Sequence, residues 1–351
     1  MVPNVPWKAG MNDETFRHFI DFAAEFSLEY VLIDAGWYGD HRDGGADLTK
    51  PIAGLDVPGL VAYGKAKNVR LMVWLNWEAT RDQMDVAFPL YEKWGLAGVK
   101  VDYMDRKDQE IVAFYQRAAG TAAKYHLAID FHGAYAGSGE ERTFPNWLTR
   151  EGVMGLEYLK WSDRATPRHN VTIPFTRMLL GPMDYTPGGF RNVSVADFAP
   201  RNDLPLAMGT RAHQLAMYVV YDSPLQMLSD TPSAYRGEPG ADFLKVVPTT
   251  WDETRALDGR IGEYVVIARR RGSDWFVGAM TDAPRKITIP LGFLPDGAFE
   301  ATLFADVPES AATPTKVGVT PMKLVSRKGA SKLVVDLAPG GGAAVHIRPS
   351  R

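Results

Sequence analysis

The stretch Gly98 to Asp108, GVKVDYMDRKD, begins as an apolar run and ends in charge. Lys100 and Asp102 lie two positions apart in it, so on a strand both side chains point to one face. Ionised groups inside an apolar sheet are costly unless they are paired or used. A lysine at that spacing keeps a carboxylate ionised and can also bind a hydroxyl. Other apolar runs end similarly, in Asp34 and Trp37, Trp74 and Asn76, Asp130 and His132, Glu151 to Glu157, Asp184 and Asp230. Carboxylates beside tryptophans suit a sugar. Aromatic faces cover the C–H faces of a pyranose ring, while Asp, Asn and His hydrogen-bond its hydroxyls. Two carboxyl groups are also the minimal apparatus for cleaving a glycosidic bond, one as nucleophile or base and one as general acid.

Each residue has a plainer reading. Asp105, Arg106 and Asp108 read as a solvated loop and the start of a helix. Asp34 could cap a loop, Glu151 and Glu157 could form a surface pair, and His132 could be a satisfied core histidine. Other chemistries find little support: no HExxH, GxSxG or early GxGxxG occurs, and the chain has no cysteine.

These residues need a scaffold to bring them together. Up to about residue 250, short apolar runs alternate with longer amphipathic ones. Asn12 and Asp13 are N-cap candidates for a helix whose Phe16, Phe19, Ile20, Ala23 and Phe26 recur at helical spacing. Strands are predicted at 30–37, 70–77, 98–104, 127–133 and 224–230, with helices at 57–68, 80–94, 109–124 and 205–221. The pattern is less clear through 143–155 and 170–185. Near-continuous apolar strands alternating with helices mark parallel βα units covered on both faces. Seven parallel strands can be counted, one short of a closed (β/α)8 TIM-type barrel, and only VPNVPWKAG remains for a truncated first strand. After Trp251 the rhythm changes to short strands with turn-rich connections, a small antiparallel β-sandwich domain. The expected division is 1–250 and 251–351.

Totals fit that plan. The 351 residues carry a net charge of −3, 46% hydrophobic and 23% charged side chains, an ordinary globular composition. That charge gives no reason to propose nucleic acid or an anionic membrane as partner. No apolar run is long enough to span a bilayer, and the first residues lack the apolar core of a secretory signal.

Several blocks together resemble glycoside hydrolase family 97: WKAGMNDET, EYVLIDAGWY, GVKVDYMDRKDQ, RTFPNWLTREGVMGLEY and HNVTIPFTRMLLGPMDYTPGGF. The resemblance runs from about Trp7 to the end of the chain. It implies a (β/α)8 catalytic barrel, a C-terminal antiparallel β-domain and, in intact members, an N-terminal β-sandwich. Members act on α-glucosides or α-galactosides, with inversion or retention depending on the branch. Retaining members resemble this chain in carrying Asp102, the nucleophile. Inverting α-glucosidases lack that Asp and carry a Glu directly after the histidine matched by His132, where this chain has Gly133.

The resemblance therefore implies a retaining α-galactosidase with Asp102 as nucleophile and Glu157 as general acid/base. It places Asp34, Trp37, Lys100 and His132 against the sugar. It also implies a calcium ion, with Glu151 as ligand and Glu157 as ligand or neighbour. Retention calls for a carboxyl separation of about 5–5.5 Å. An α-glucosidase of the same family and a carbohydrate-binding remnant without turnover are the alternatives. The N-terminal sandwich, which supplies a calcium ligand in the family, has no counterpart here. A fragment, or a chain that pairs with a missing sandwich, is the corresponding expectation. Intact relatives are exported to the bacterial periplasm.

Overall fold

The computed structural model describes residues 5–40, 46–327 and 331–350. Contacts divide it into two compact units. The first contains residues 1–152, 180–184 and 231–233; the second contains 153–179, 185–230 and 234–351.

The first unit is built from parallel βα repeats. Helix α1 (Asp13–Glu25) starts at Asn12, whose side chain accepts from the Thr15 amide, and it buries Phe16, Ile20 and Ala23. Strand β1 (Tyr30–Ile33), helix α2 (Val57–Lys65), strand β2 (Arg70–Asn76) and helix α3 (Trp77–Trp94) follow. Next come strand β3 (Gly98–Asp102), helix α4 (Gln109–Lys124), strand β4 (Ala128–Phe131) and strand β5 (Trp147–Arg150). The five strands pair in chain order, all parallel. β2 is buried from Leu71 to Asn76, as a strand covered on both faces must be. Its core joins Ile33, Leu71, Val73, Val99, Val101, Ile129 and Phe131 to the apolar stripes of α1 to α4.

Register explains how the charged residues converge. Trp74 lies opposite Lys100, Lys100 opposite Asp130, and Asp130 opposite Thr149, so one row of side chains crosses four strands on one face. One step further along, Asn76 lies opposite Asp102. Residues 5–12 form no strand; residues 1–4, on which the truncated first strand would also fall, lie outside the described residues.

The second unit begins with 3₁₀ turns, including Leu156–Lys160, and a short helix α5 (Pro167–Thr172). A two-stranded parallel pair follows, β6 (Asn192–Val193) with β7 (Ala207–Met208), then the fully buried helix α6 (Arg211–Val220). The expected strand at 224–230 does not form. Its polar groups go instead to tyrosines and loops: Tyr218 Oη donates to the Met227 carbonyl, and the Asp230 amide donates to Tyr235 Oη. Eight antiparallel strands complete the unit, from β8 (Glu253–Arg260) and β9 (Tyr264–Arg271) through β10 (Asp274–Thr281), β11 (Arg285–Pro290) and β12 (Gly297–Ala305). They end with β13 (Gly318–Ser326), β14 (Lys332–Leu337) and β15 (Gly342–Pro349). Six of them form one sheet in the order β13-β12-β15-β10-β9-β8, and β11 pairs with β14. Trp275, Val277, Ile287, Ile289, Phe299, Val335, Val345 and Ile347 fill its core. Among the described residues from Glu253 onward, the one helical piece is a single 3₁₀ turn at Pro308–Ala311.

Candidate active site

Asp102 ends β3, and three donors or cations surround its carboxylate. The Trp74 indole N–H donates to Oδ2 at 3.0 Å, the Tyr103 amide donates to Oδ1 at 2.6 Å, and His132 Nδ1 lies 3.6 Å from Oδ2. Burial alone would raise its pKa, but the hydrogen bond and charge of His132, the Lys100 ammonium and the Trp74 indole prevail. The pKa settles at about 2. At neutral pH Asp102 is an ionised, oriented and largely desolvated carboxylate, which is the state a nucleophile needs.

His132 lies at the centre of a ring of carboxylates. Its Nδ1 is 3.5 Å from Glu151 Oε2 and its Nε2 is 3.7 Å from Asp184 Oδ2. Burial and the Lys100 charge oppose its protonation, yet Asp102, Asp184 and Glu151 outweigh them and hold the pKa up at about 9. His132 is therefore imidazolium at neutral pH.

The ion pair expected between Lys100 and Asp102 takes a different form. Lys100 Nζ lies 3.9 Å from Asp184 Oδ2. Burial opposes its charge, but Asp184, then Asp34, Asp130 and Asp102, raise its pKa. Asp130, fully buried in the same row, has its pKa pushed well up by burial and by Asp184. Asp34 is exposed just beyond β1 and accepts from the Ala35 amide through Oδ1.

Trp37 does not reach the sugar face. It is 0% exposed, its indole N–H donates to the Trp74 carbonyl, and its ring packs edge-on against Tyr38, Tyr91 and Trp94. A ring enclosed on all sides cannot stack on a pyranose, so Trp37 is a core residue. Asn76 is likewise a helix cap, its Oδ1 accepting from the Glu78 and Ala79 amides at the start of α3.

Two residues of the following turn carry more than the sequence suggested. Asp108 does begin α4, capping the Glu110 and Ile111 amides while Arg106 pairs with Asp108 and Glu110. Asp105 does not belong to that cap: burial first, then Asp102, raise its pKa, and its Oδ1 lies 3.2 Å from where a Gly133 Cβ would be. Tyr103, which nothing in composition or spacing singles out, is exposed immediately beside Asp102.

Gly133 ties the cluster together. Its amide donates to Glu151 Oε2 at 2.9 Å, and its carbonyl accepts from the Asp105 amide at 2.7 Å. It has φ +57, and an added Cβ would sit 3.0 Å from the Tyr103 nitrogen and 3.1 Å from Asp102 Oδ1. Burial raises the pKa of Glu151. Glu157, in the second unit, is half-buried on the 3₁₀ turn Leu156–Lys160 and pairs with Lys160 Nζ at 2.9 Å.

A desolvated carboxylate held ionised at the end of a parallel strand, among further carboxylates, is an arrangement that a barrel glycosidase can use. The chain matches the model for glycoside hydrolase 97 over residues 2–153 and that for the glycosyl-hydrolase 97 C-terminal, oligomerisation domain over 250–348. It belongs to glycoside hydrolase family 97. It is 43% identical over 350 residues to the retaining alpha-galactosidase of Bacteroides thetaiotaomicron, covering 98% of this chain and 52% of that protein. It is 35% identical over 351 residues to the probable retaining alpha-galactosidase of Streptomyces bingchenggensis, covering 98% of this chain and 51% of that one. Among solved structures, a family 97 enzyme from Pseudoalteromonas sp. strain K8 bound to acarbose superposes with a TM-score of 0.88 at 32% identity. That match covers 99% of this chain and 58% of the other. The fold is thus that of a TIM-type barrel followed by a C-terminal antiparallel β-domain. The chain spans about half the length of the curated relatives it matches.

Proposed function

We propose that this chain is the barrel and C-terminal part of a retaining exo-α-glycosidase acting on α-galactosides. The observation that carries the reading is the state of Asp102 beside Gly133. The carboxylate is ionised and fixed by three neighbours, and position 133 carries no carboxyl that could act as a second base. The inverting α-glucosidase alternative needs a glutamate at position 133. There φ is +57 and a Cβ would press on both the Tyr103 amide and Asp102 Oδ1. The names of the two curated relatives support the same branch.

In this reading Asp102 attacks the anomeric carbon as the bond to the departing oxygen breaks, and Glu157 gives that oxygen its proton. Water then loses a proton to Glu157 and attacks the same carbon, and the bond to Asp102 breaks. His132 and Lys100 hold Asp102 ionised, and with Asp34 they face the sugar hydroxyls. Trp37 takes no part. The barrel is assigned to 1–250 and the β-domain to 251–351.

Glu151 and Glu157 are the carboxylates assigned to a calcium ion, with His132 as neighbour. Oxygen donors suit a hard cation, and a carboxylate whose pKa burial raises, as in Glu151, gains most from one. Two carboxylates do not complete a shell of about 6–8 oxygens, so water and further groups would have to contribute. When bound, the ion would add positive charge beside the acid/base carboxylate.

The test is hydrolysis of p-nitrophenyl α-galactoside and α-glucoside, with calcium present, by the parent and by Asp102→Ala. We expect turnover of the galactoside in preference to the glucoside, and a loss on the order of a thousandfold or more in the variant. Equal rates in parent and variant would refute the assignment. Binding of galactoside by a folded parent without turnover would favour the carbohydrate-binding remnant.

A further inference from the structure

Trp74 is 2% exposed, and a buried indole N–H needs an acceptor. Most side-chain donors find a backbone carbonyl or water. Trp37 does so, donating to the Trp74 carbonyl at 2.7 Å. Trp74 instead donates to Oδ2 of Asp102, the proposed nucleophile, at 3.0 Å. Strand register accounts for the reach. Trp74 lies opposite Lys100 and Asn76 opposite Asp102, so the indole crosses to the next residue on the same face of β3, a diagonal that a large side chain spans.

Two rings hold the indole. Tyr38 lies nearly parallel to it, with centroids 6.4 Å apart at 17°, and Tyr103 meets it edge-on at 5.6 Å and 78°. Tyr38 is itself fixed, its hydroxyl accepting from the Asn76 amide at 3.0 Å. The direction of the Trp74 N–H is therefore set by packing and by the strand as well as by Asp102. His132 and Lys100, the cations near Asp102, are shared with other carboxylates. Trp74 adds a neutral donor aimed at one oxygen.

We infer that Trp74 is a positioning residue for the second half of the reaction, easing the departure of Asp102 from the sugar, an inference that rests on the glycosidase reading above. In the glycosyl-enzyme Asp102 is a neutral ester. Water's oxygen then bonds to the anomeric carbon while its proton passes to Glu157. The bond from that carbon to Asp102 breaks, and its electron pair returns to the carboxylate. An N–H donates more strongly to that ion than to the ester, so the bond at Oδ2 strengthens as the carboxylate leaves. In the first half the same bond stabilises the attacking ion and gives no acceleration. The benefit falls on breakdown of the ester.

The experiment compares the full chain, Trp74→Phe and Tyr38→Phe with p-nitrophenyl α-galactoside. Trp74→Phe keeps a ring and removes the N–H. Slower breakdown lets the ester accumulate, so kcat and KM should fall together, each about five- to tenfold, with kcat/KM within about threefold. The burst of p-nitrophenol should grow relative to the parent. Azide, which attacks the ester without needing a base, should raise kcat and leave α-galactosyl azide. Tyr38→Phe loosens the same strand but leaves the N–H, and its burst should match the parent's. A second measurement needs no variant: in the parent with isotopically labelled tryptophan, one indole N–H resonance should move upfield when a fluorinated galactosyl fluoride traps the ester. A fall in kcat with KM unchanged, an equally enlarged burst in Tyr38→Phe, or no upfield movement of any indole resonance would overturn the role. A folded parent that does not turn over a galactoside would overturn the glycosidase reading and this role with it. A parent that turns over while Trp74→Phe matches it in kcat and KM would overturn the role alone.

Discussion

Asp102 and His132 stabilise each other, and the pH dependence of that coupling can be derived. Asp102 is held at about 2, below its unfolded value of about 3.9, so its contribution is present above about pH 4 and is lost as pH falls through about 2. His132 is held at about 9, above its unfolded value of about 6.5. Its contribution is full below about pH 6.5 and is lost as pH rises through about 9. Denaturant midpoints of the parent should therefore decline between pH 6.5 and 9, and those of His132→Gln should be flatter across that window. Equal slopes would contradict the charged imidazolium. Asp184 approaches both cations, so Asp184→Asn should cost about 3 kcal/mol by removing the carboxylate that does most to hold Lys100 charged in a buried site. Asp130→Asn removes a carboxyl whose ionisation burial and Asp184 already oppose, and should cost less than Asp184→Asn. Chemical denaturation at pH 7 separates the two. Trp37 shows where residue-level reading fails: strand ends mark position along the barrel axis, but not whether a side chain points to the opening or into the packing.

At the level of elements, the cluster depends on backbone geometry as much as on charge. Gly133→Ala would force a left-handed conformation on an alanine and press its Cβ on the Tyr103 amide and Asp102 Oδ1. We expect a loss of about 1–3 kcal/mol and a fall in kcat larger than any rise in KM, measured by thermal melting and steady-state kinetics. Asp108→Ala removes a cap and an exposed ion pair with Arg106, should cost about 1 kcal/mol, and should leave the kinetics unchanged. The elements around these residues were largely legible. Helix α4 is predicted at 109–124 and observed at Gln109–Lys124, and strands β1 to β4 all lie within their predicted ranges. Apolar periodicity carries that information because each of these elements buries a continuous face. Residues 224–230 defeated it, since an apolar stretch can satisfy its backbone through tyrosine hydroxyls and loop amides rather than a ladder. β8 is hard to read for the opposite reason: as a sheet edge with mostly exposed, polar residues it carries no periodic apolar signal. The two positive-φ residues at 103 and 105 leave no trace in composition, so the sequence does not separate Asp105 from the start of the helix.

For the whole molecule, five sequence blocks were enough to place the chain in its family, and the parallel sheet and antiparallel domain follow. Chelation tests the proposed calcium at this scale. EGTA should lower galactosidase activity, calcium should restore it, and Glu151→Gln should raise the calcium needed for half-activation by about tenfold or more. Activity indifferent to EGTA in parent and variant would remove the ion from the account. The central claim is that Asp102 forms a covalent bond to the sugar, and azide tests it directly. With the nucleophile cut back in Asp102→Ala, azide should enter the vacated space, restore turnover of p-nitrophenyl α-galactoside and leave β-galactosyl azide, identified by NMR. Release of free galactose at an undiminished rate by Asp102→Ala, with no azide adduct, would contradict the account.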